Sequence, residues 1–67
     1  MINIQLNGET RQLPEQIDLR SLIDQLSLSD RRVAIEFNGS VVRRVDWPSI
    51  IVANGDRLEV VHFVGGG

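Results

Sequence analysis

Ile2-Asn3-Ile4-Gln5-Leu6-Asn7-Gly8 opens the chain. Its apolar residues Ile2, Ile4 and Leu6 alternate with Asn3, Gln5 and Asn7, the two-residue period of a strand with one dry face and one wet face. Asn7-Gly8 then supplies two adjacent positions that tolerate positive φ, which a tight hairpin turn needs if its twist is to match that of its strands. Residues 9–13 read as the returning strand. Pro14 stops it, having no N–H to give to a ladder. The chain therefore begins with a hairpin, and whatever follows must cover it or extend it.

After Pro14 the period changes. Leu19, Leu22, Ile23 and Leu26 fall at i, i+3, i+4 and i+7, which makes one apolar stripe along a helix. Asp18 stands where an N-cap accepts from the free N–H groups of the first turn. Ile17 and Leu22 hold the N′ and N4 positions of a hydrophobic staple. The pattern predicts a helix that ends near residues 27–29. Val33, Ile35 and Phe37 return to the two-residue period and run to a second turn, Asn38-Gly39, after which Val41 and Val42 form a short strand. Asp46-Trp47-Pro48-Ser49 reads as a capped single turn with Pro48 early in it, where its missing N–H is harmless. Ile50, Ile51 and Val52 lead to a third turn, Asn54-Gly55-Asp56, and a last strand is predicted over 57–64. A hairpin, one helix across a sheet face and later strands completing the sheet make a small α+β domain in the element order of a β-grasp. The parallel pairing of first and last strands that this fold requires is not displayed by any local pattern.

Composition narrows the function. The 67 residues allow one domain, and a chain near this size buries only ~60% of its unfolded surface, so a self-contained enzyme cleft is not expected. The 42% hydrophobic content nevertheless supports a packed core rather than disorder. Without cysteine there is neither a disulfide nor a thiolate metal site, and a lone histidine, His62, makes no metal cluster. A net charge of −2 argues against nucleic acid, whose binding rests on Lys and Arg at phosphates. The pairs Arg31-Arg32 and Arg43-Arg44 are read as solvated charges flanking strands. There is no lysine, so the chain cannot accept an isopeptide bond on its own side chains. Neither a charged leader nor a long apolar run is visible, and the expectation is a soluble cytoplasmic protein that does not enter a membrane.

The other end carries the chemistry. Val60-Val61-His62-Phe63-Val64 runs directly into Gly65-Gly66-Gly67. Three glycines stabilise a fold poorly, because glycine loses the most backbone freedom on ordering. They do form a slim thread, and residues 64–67 span on the order of 13–14 Å when extended. At its tip is an α-carboxylate with an ordinary pKa of ~3.3–3.7. Such an end by itself suits a frayed terminus as well as a reactive one. In the strand before it, Glu59 marks the solvent side, and Val61 and Phe63 share its parity. An outward valine and aromatic beside the tail are expected to be a docking patch. His62 has no second catalytic side chain at a recognisable spacing and is read as a strand-end residue. Trp47 is read as core or lid packing.

With the opening Ile4-Gln5-Leu6-Asn7-Gly8, the turn Asn54-Gly55-Asp56, the ending Val61-His62-Phe63-Val64-Gly65-Gly66-Gly67 and the near-minimal length, the whole chain resembles the bacterial sulfur carriers of thiamin (thiazole) biosynthesis. That family has the ubiquitin-like β-grasp fold and ends in Gly-Gly; here a third glycine, Gly65, precedes the pair. The resemblance implies a mixed sheet of four to five strands crossed by one helix, with one domain over 1–67, an ordered body to about residue 64 and a flexible tail at 65–67. It further implies that a partner resembling ubiquitin-activating enzymes, an adenylyltransferase, uses ATP to activate the Gly67 carboxylate. Sulfur supplied through a cysteine desulfurase would convert it to a thiocarboxylate, and thiazole synthase would take the sulfur. The carrier would bind no cofactor of its own, and Val61, Phe63 and Val64 would meet the partners. The small subunit of molybdopterin synthase resembles the same pattern but is usually longer, and a ubiquitin-like modifier is the alternative of a different class.

Overall fold

In the computed structural model, which describes residues 1–28 and 32–62, the opening hairpin forms as its pattern requires. Strand β1 (Ile2–Leu6) pairs antiparallel with β2 (Glu9–Leu13), and Leu6 faces Glu9 across the turn. Asn7 at φ 51° and Gly8 at φ 82° both occupy the left-handed region that this two-residue loop demands. Next come β3 (Ile17–Asp18), helix α1 (Leu19–Gln25), β4 (Val33–Phe37) and β5 (Ser40–Val42). A 3₁₀ helix (Arg44–Ser49), β6 (Ile51–Val52) and β7 (Arg57–His62) complete the described chain. Asn38-Gly39 closes the β4–β5 hairpin with the same pair of positive φ values, 51° and 91°.

Five strands make one sheet in the order β2-β1-β7-β4-β5. β7, last in sequence, is central: it runs parallel to β1 and antiparallel to β4. This is the arrangement the β-grasp expectation needed. β3 and β6 add a two-stranded antiparallel pair that no sequence period announced, Ile17 facing Val52 and Asp18 facing Ile51.

One face of the sheet is dry. Ile4, Leu6, Val33, Ile35, Leu58 and Val60 from the strands meet Leu19, Leu22 and Ile23 of α1, with Trp47 and Val52 closing the cluster. Burying one such aliphatic side chain is worth about 1.5–3 kcal/mol. The Asp18 cap is present: Oδ2 accepts from the Ser21 N–H at 2.9 Å, and Ser21 Oγ donates to Oδ1 at 2.7 Å. Ile17 packs against the cluster containing Leu22, as the staple requires. Among the described residues no helix is long and apolar enough to cross a membrane.

Three expectations need correction or restriction. The helix ends at Gln25, not at residues 27–29. Ser27 takes φ 60°, its N–H reaches the Asp24 carbonyl at 3.0 Å, and the Leu28 N–H reaches that of Ile23 at 3.1 Å. These are the two bonds of a Schellman closure, with serine where glycine is usual, and they let Leu28 fold back onto the core. The turn at Trp47 is also longer than expected and begins at Arg44, with Arg43 at the cap position and no side-chain cap. Pro48 comes late in it rather than early; the bond it cannot donate would go to Val45, which is 72% exposed, so solvent can satisfy that carbonyl. Finally, β7 is described to His62, and residues 63 and 64 of the expected strand lie outside the described residues.

Candidate functional site

The site is built from the end of β7, and the asparagine turns determine how far that strand is gripped. At its start, Asn38 binds Arg57 through both main-chain groups: its N–H donates to the Arg57 carbonyl at 2.8 Å, and its Oδ1 accepts from the Arg57 N–H at 2.9 Å. Asn38 Nδ2 also donates to Asp56 Oδ1 at 3.1 Å. The third turn locks β1 in turn: Asn54 Oδ1 accepts from the Asn3 N–H at 2.8 Å, the Gly55 N–H donates to the Asn3 carbonyl at 2.8 Å, and the Gln5 N–H donates to the Asp56 carbonyl at 3.0 Å. Gly55 sits at φ 90°, which this turn requires and a side chain would strain.

On the β1 side the grip ends at Asn7. Its N–H donates to the Leu58 carbonyl at 2.9 Å, and its Oδ1 accepts from the Val60 N–H at 2.7 Å. Because Asn7 has already turned into the hairpin, its side-chain oxygen takes the place that a backbone carbonyl would have held in a continued parallel ladder. Beyond Val60, β7 is paired only with β4, through Ala34 facing Val61 and Val33 facing His62.

Side chains alternate as the Glu59 parity argument requires. Leu58 and Val60 are buried, while Glu59 and Val61 face outward, Val61 being 49% exposed. His62 is exposed at the strand end. Phe63, Val64, Gly65, Gly66 and Gly67 lie outside the described residues, so the expected partner patch is described only at Val61. Trp47 is core: it is 1% exposed, with the Arg44 guanidinium 4.7 Å from its ring centroid. Its Nε1, although buried, has no hydrogen-bond partner among the described residues.

Sequence parity missed the neighbours of Val61. Register puts Ala34 opposite Val61, Glu36 opposite Glu59 and Val41 opposite Glu36, so all share the outer face. Val41 is 71% exposed. One signal was available: of the adjacent Val41 and Val42, a strand can bury only one. At the other end of this face, where β7 begins, an open polar hollow of about 570 Å³ is lined by Asn3, Gln5, Thr10, Asn38, Asp56 and Arg57 among others. It is remote from the strand's exit. No group of His, Asp or Glu that could hold a metal ion occurs among the described residues. Asp18 titrates below its ordinary value, held there chiefly by the Ser21 hydroxyl and next by the Ser21 N–H.

Comparison with known proteins gives a consistent result. The model of the ThiS family matches residues 4–67. A thiazole synthase of Paramagnetospirillum magneticum is 36% identical over 62 residues, which cover 92% of this chain but 19% of that protein. The chain thus spans about a fifth of the length of the thiazole synthases it matches. The sulfur carrier protein ThiS of Bacillus subtilis is 28% identical over 65 residues, covering 96% of this chain and 98% of the relative. The crystal structure of the thiamine biosynthesis protein ThiS from Geobacter metallireducens superposes with a TM-score of 0.87 at 29% identity, over 98% of this chain and 100% of that one. A five-stranded sheet with β7 at its centre, a single core helix and a family match that runs through Gly67 lead to one conclusion: the chain belongs to the ThiS family, with the ubiquitin-like β-grasp fold.

Proposed function

We propose that this chain is a sulfur carrier of thiamin biosynthesis whose working group is the Gly67 carboxylate. The observation that supports this best is the position of β7: the central strand, held on both sides at its start, leads the chain out of the middle of the sheet toward Val64-Gly65-Gly66-Gly67. A rigid body with a slim reactive end is what a carrier needs and an enzyme does not.

The chemistry follows from the carboxylate. It resists nucleophiles because its charge is delocalised and oxide is a poor leaving group. Attack of a Gly67 oxygen on the α-phosphorus of ATP, held by an adenylyltransferase, expels pyrophosphate and leaves an acyl-adenylate. The terminal sulfur of a persulfide, charged by a cysteine desulfurase, then attacks the carbonyl carbon and expels AMP. A thiolate cleaves the resulting S–S bond, leaves as part of a disulfide, and Gly67 keeps a thiocarboxylate for thiazole synthase. The chain has no cysteine to divert this sulfur. Gly65 and Gly66 act as the thread that passes into the partners' active sites, and Val61, Phe63 and Val64 seat the body beside it. Oriented docking of this kind turns a bimolecular encounter into a positioned reaction.

Intact-mass analysis tests the proposal after incubation with adenylyltransferase, ATP and a persulfide source. The expected product is the chain with one oxygen replaced by sulfur, and a chain lacking Gly66 and Gly67 should fold normally but gain nothing. Conjugates to lysines of other proteins, with no thiocarboxylate, would mark a modifier instead.

A further inference from the structure

Asparagine followed by glycine is distinctive chemically as well as conformationally, and the pair occurs three times: Asn7-Gly8, Asn38-Gly39 and Asn54-Gly55. Glycine has no side chain to shield its nitrogen, so that nitrogen can reach the Cγ of the preceding asparagine once the turn opens locally. All of these residues are exposed. Space does not separate the three turns, since nothing lies within 4 Å of where a Cβ would stand on any of the glycines. Hydrogen bonds do separate them. The Gly55 N–H donates to the Asn3 carbonyl at 2.8 Å, so the nucleophile of the third turn is already engaged. The Gly8 N–H has no partner among the described residues, but the Asn7 amide is anchored: its Oδ1 accepts the Val60 N–H at 2.7 Å in a partly buried bond. At Asn38-Gly39 neither restraint applies. The Gly39 N–H is without a partner among the described residues, and both side-chain bonds of Asn38 are exposed, where water competes for them.

We infer that Asn38 is a site of spontaneous covalent modification, the first of these asparagines to deamidate in the folded protein. The Gly39 nitrogen gives its proton to solvent and bonds to Asn38 Cγ, and ammonia leaves as a succinimide ring closes. Water then adds to either imide carbonyl and opens the ring, to aspartate or to isoaspartate, whose main chain runs through Cβ. Water is consumed and ammonia released; nothing is oxidised or reduced. The consequence is local and specific. Aspartate places a carboxylate where Asn38 Nδ2 donated to Asp56 Oδ1 at 3.1 Å, so two like charges meet and the bond is lost. Isoaspartate loses the same donor and also lengthens the main chain of a turn that joins the paired residues Phe37 and Ser40. Asp56 matters to the neighbouring turn as well: its Oδ2 accepts the Ala53 N–H at 2.8 Å, and its carbonyl accepts the Gln5 N–H at 3.0 Å. Modification of Asn38 therefore loosens the start of β7 and its lock on β1, at the end of the strand away from the glycines.

The test incubates the full chain folded in buffer and, in parallel, unfolded in urea, and follows each Asn-Gly pair by peptide mapping. In urea the turns are gone, so the ratio of folded to unfolded rate at each site reads the structure alone. That ratio should be largest at Asn38 and about 10-fold lower at Asn7 and Asn54, the factor that one retained hydrogen bond supplies. Asn38→Asp stands for the aspartate product. It should lower the unfolding midpoint and speed amide exchange at Arg57 by about 10-fold. Asn38→Asp/Asp56→Asn again sets a donor against an acceptor across the same gap, and it should recover most of that loss. A ratio at Asn7 or Asn54 equal to or above that at Asn38, or a folded chain in which Asn38 stays intact, overturns the site. If Asn38→Asp unfolds like the wild type, or the exchanged pair recovers nothing, the meeting of carboxylates is refuted as its consequence.

Discussion

Replacing Asn7 by glycine isolates one hydrogen bond that ties the two ends of the sequence together. Asn7 Oδ1 accepts the Val60 N–H at 2.7 Å across 53 residues, and the bond is partly buried. Glycine keeps the positive φ that position 7 requires, so the hairpin turn survives and only the acceptor is lost. Val60 is 9% exposed and its N–H has no strand residue to turn to, since β1 has already ended. Leaving such a donor unsatisfied costs about 1–3 kcal/mol. A domain of this size has about 3–10 kcal/mol in hand, and each kcal/mol lowers its thermal midpoint by about 4–8 °C. Asn38→Gly serves as comparison, because both bonds of its side chain, from the Arg57 N–H at 2.9 Å and to Asp56 Oδ1 at 3.1 Å, are exposed and water can replace them. The expected loss there is at the lower end, about 0.5–1.5 kcal/mol. Urea unfolding of both variants, with amide exchange read at Val60 and Arg57, provides the assay. Equal and negligible destabilisation, with Val60 exchange unchanged in Asn7→Gly, would refute the view that this side chain ends the parallel ladder.

Other substitutions probe separate parts of the structure. Leu22→Ala, at a site 1% exposed, should lose about 2–5 kcal/mol in denaturant unfolding, enough to leave much of the population unfolded. Ser27→Gly should raise stability by up to about 1 kcal/mol, since Ser27 holds φ 60° without the benefit of glycine; a loss would mean its side chain has a role of its own. Asp18 titrates below its ordinary value when folded, so its cap contributes fully above the unfolded pKa of about 3.9 and is lost as pH falls through the lower folded value. An acid limb in the stability profile should therefore shrink in Asp18→Asn, and an unchanged profile would exclude this group as its source.

What was legible in the sequence was what short-range chemistry decides. Asn7-Gly8 and Asn38-Gly39 produced their turns because both residues accept positive φ. Asp18 capped α1 because its carboxylate lies within reach of its own first turn. The misses are equally physical. Ser27 closed the helix early because Leu28 gains burial by folding back, a benefit that exists only once the core is present. The 3₁₀ helix started at Arg44 because it delivers Trp47 to that core. Two-residue strands such as β3 and β6 are too short to show a period.

The sequence by itself determined the hairpins, the helix stripe, the buried parity of β7 and the glycine end, since each depends on residues a few positions apart. Only the tertiary structure decided that β7 would lie parallel to β1 and between it and β4, and hence that Glu36, Val41 and Glu59 would share a face with Val61. Parallel neighbours need a long crossover and carry no turn of their own to set the register. Here the register comes from Leu58 and Val60 burying against Ile4, Leu6 and Ile35, and from Asn7 and Asn54 bonding backbone groups more than fifty residues away. No local pattern can encode a contact whose energy appears only after the chain has closed on itself.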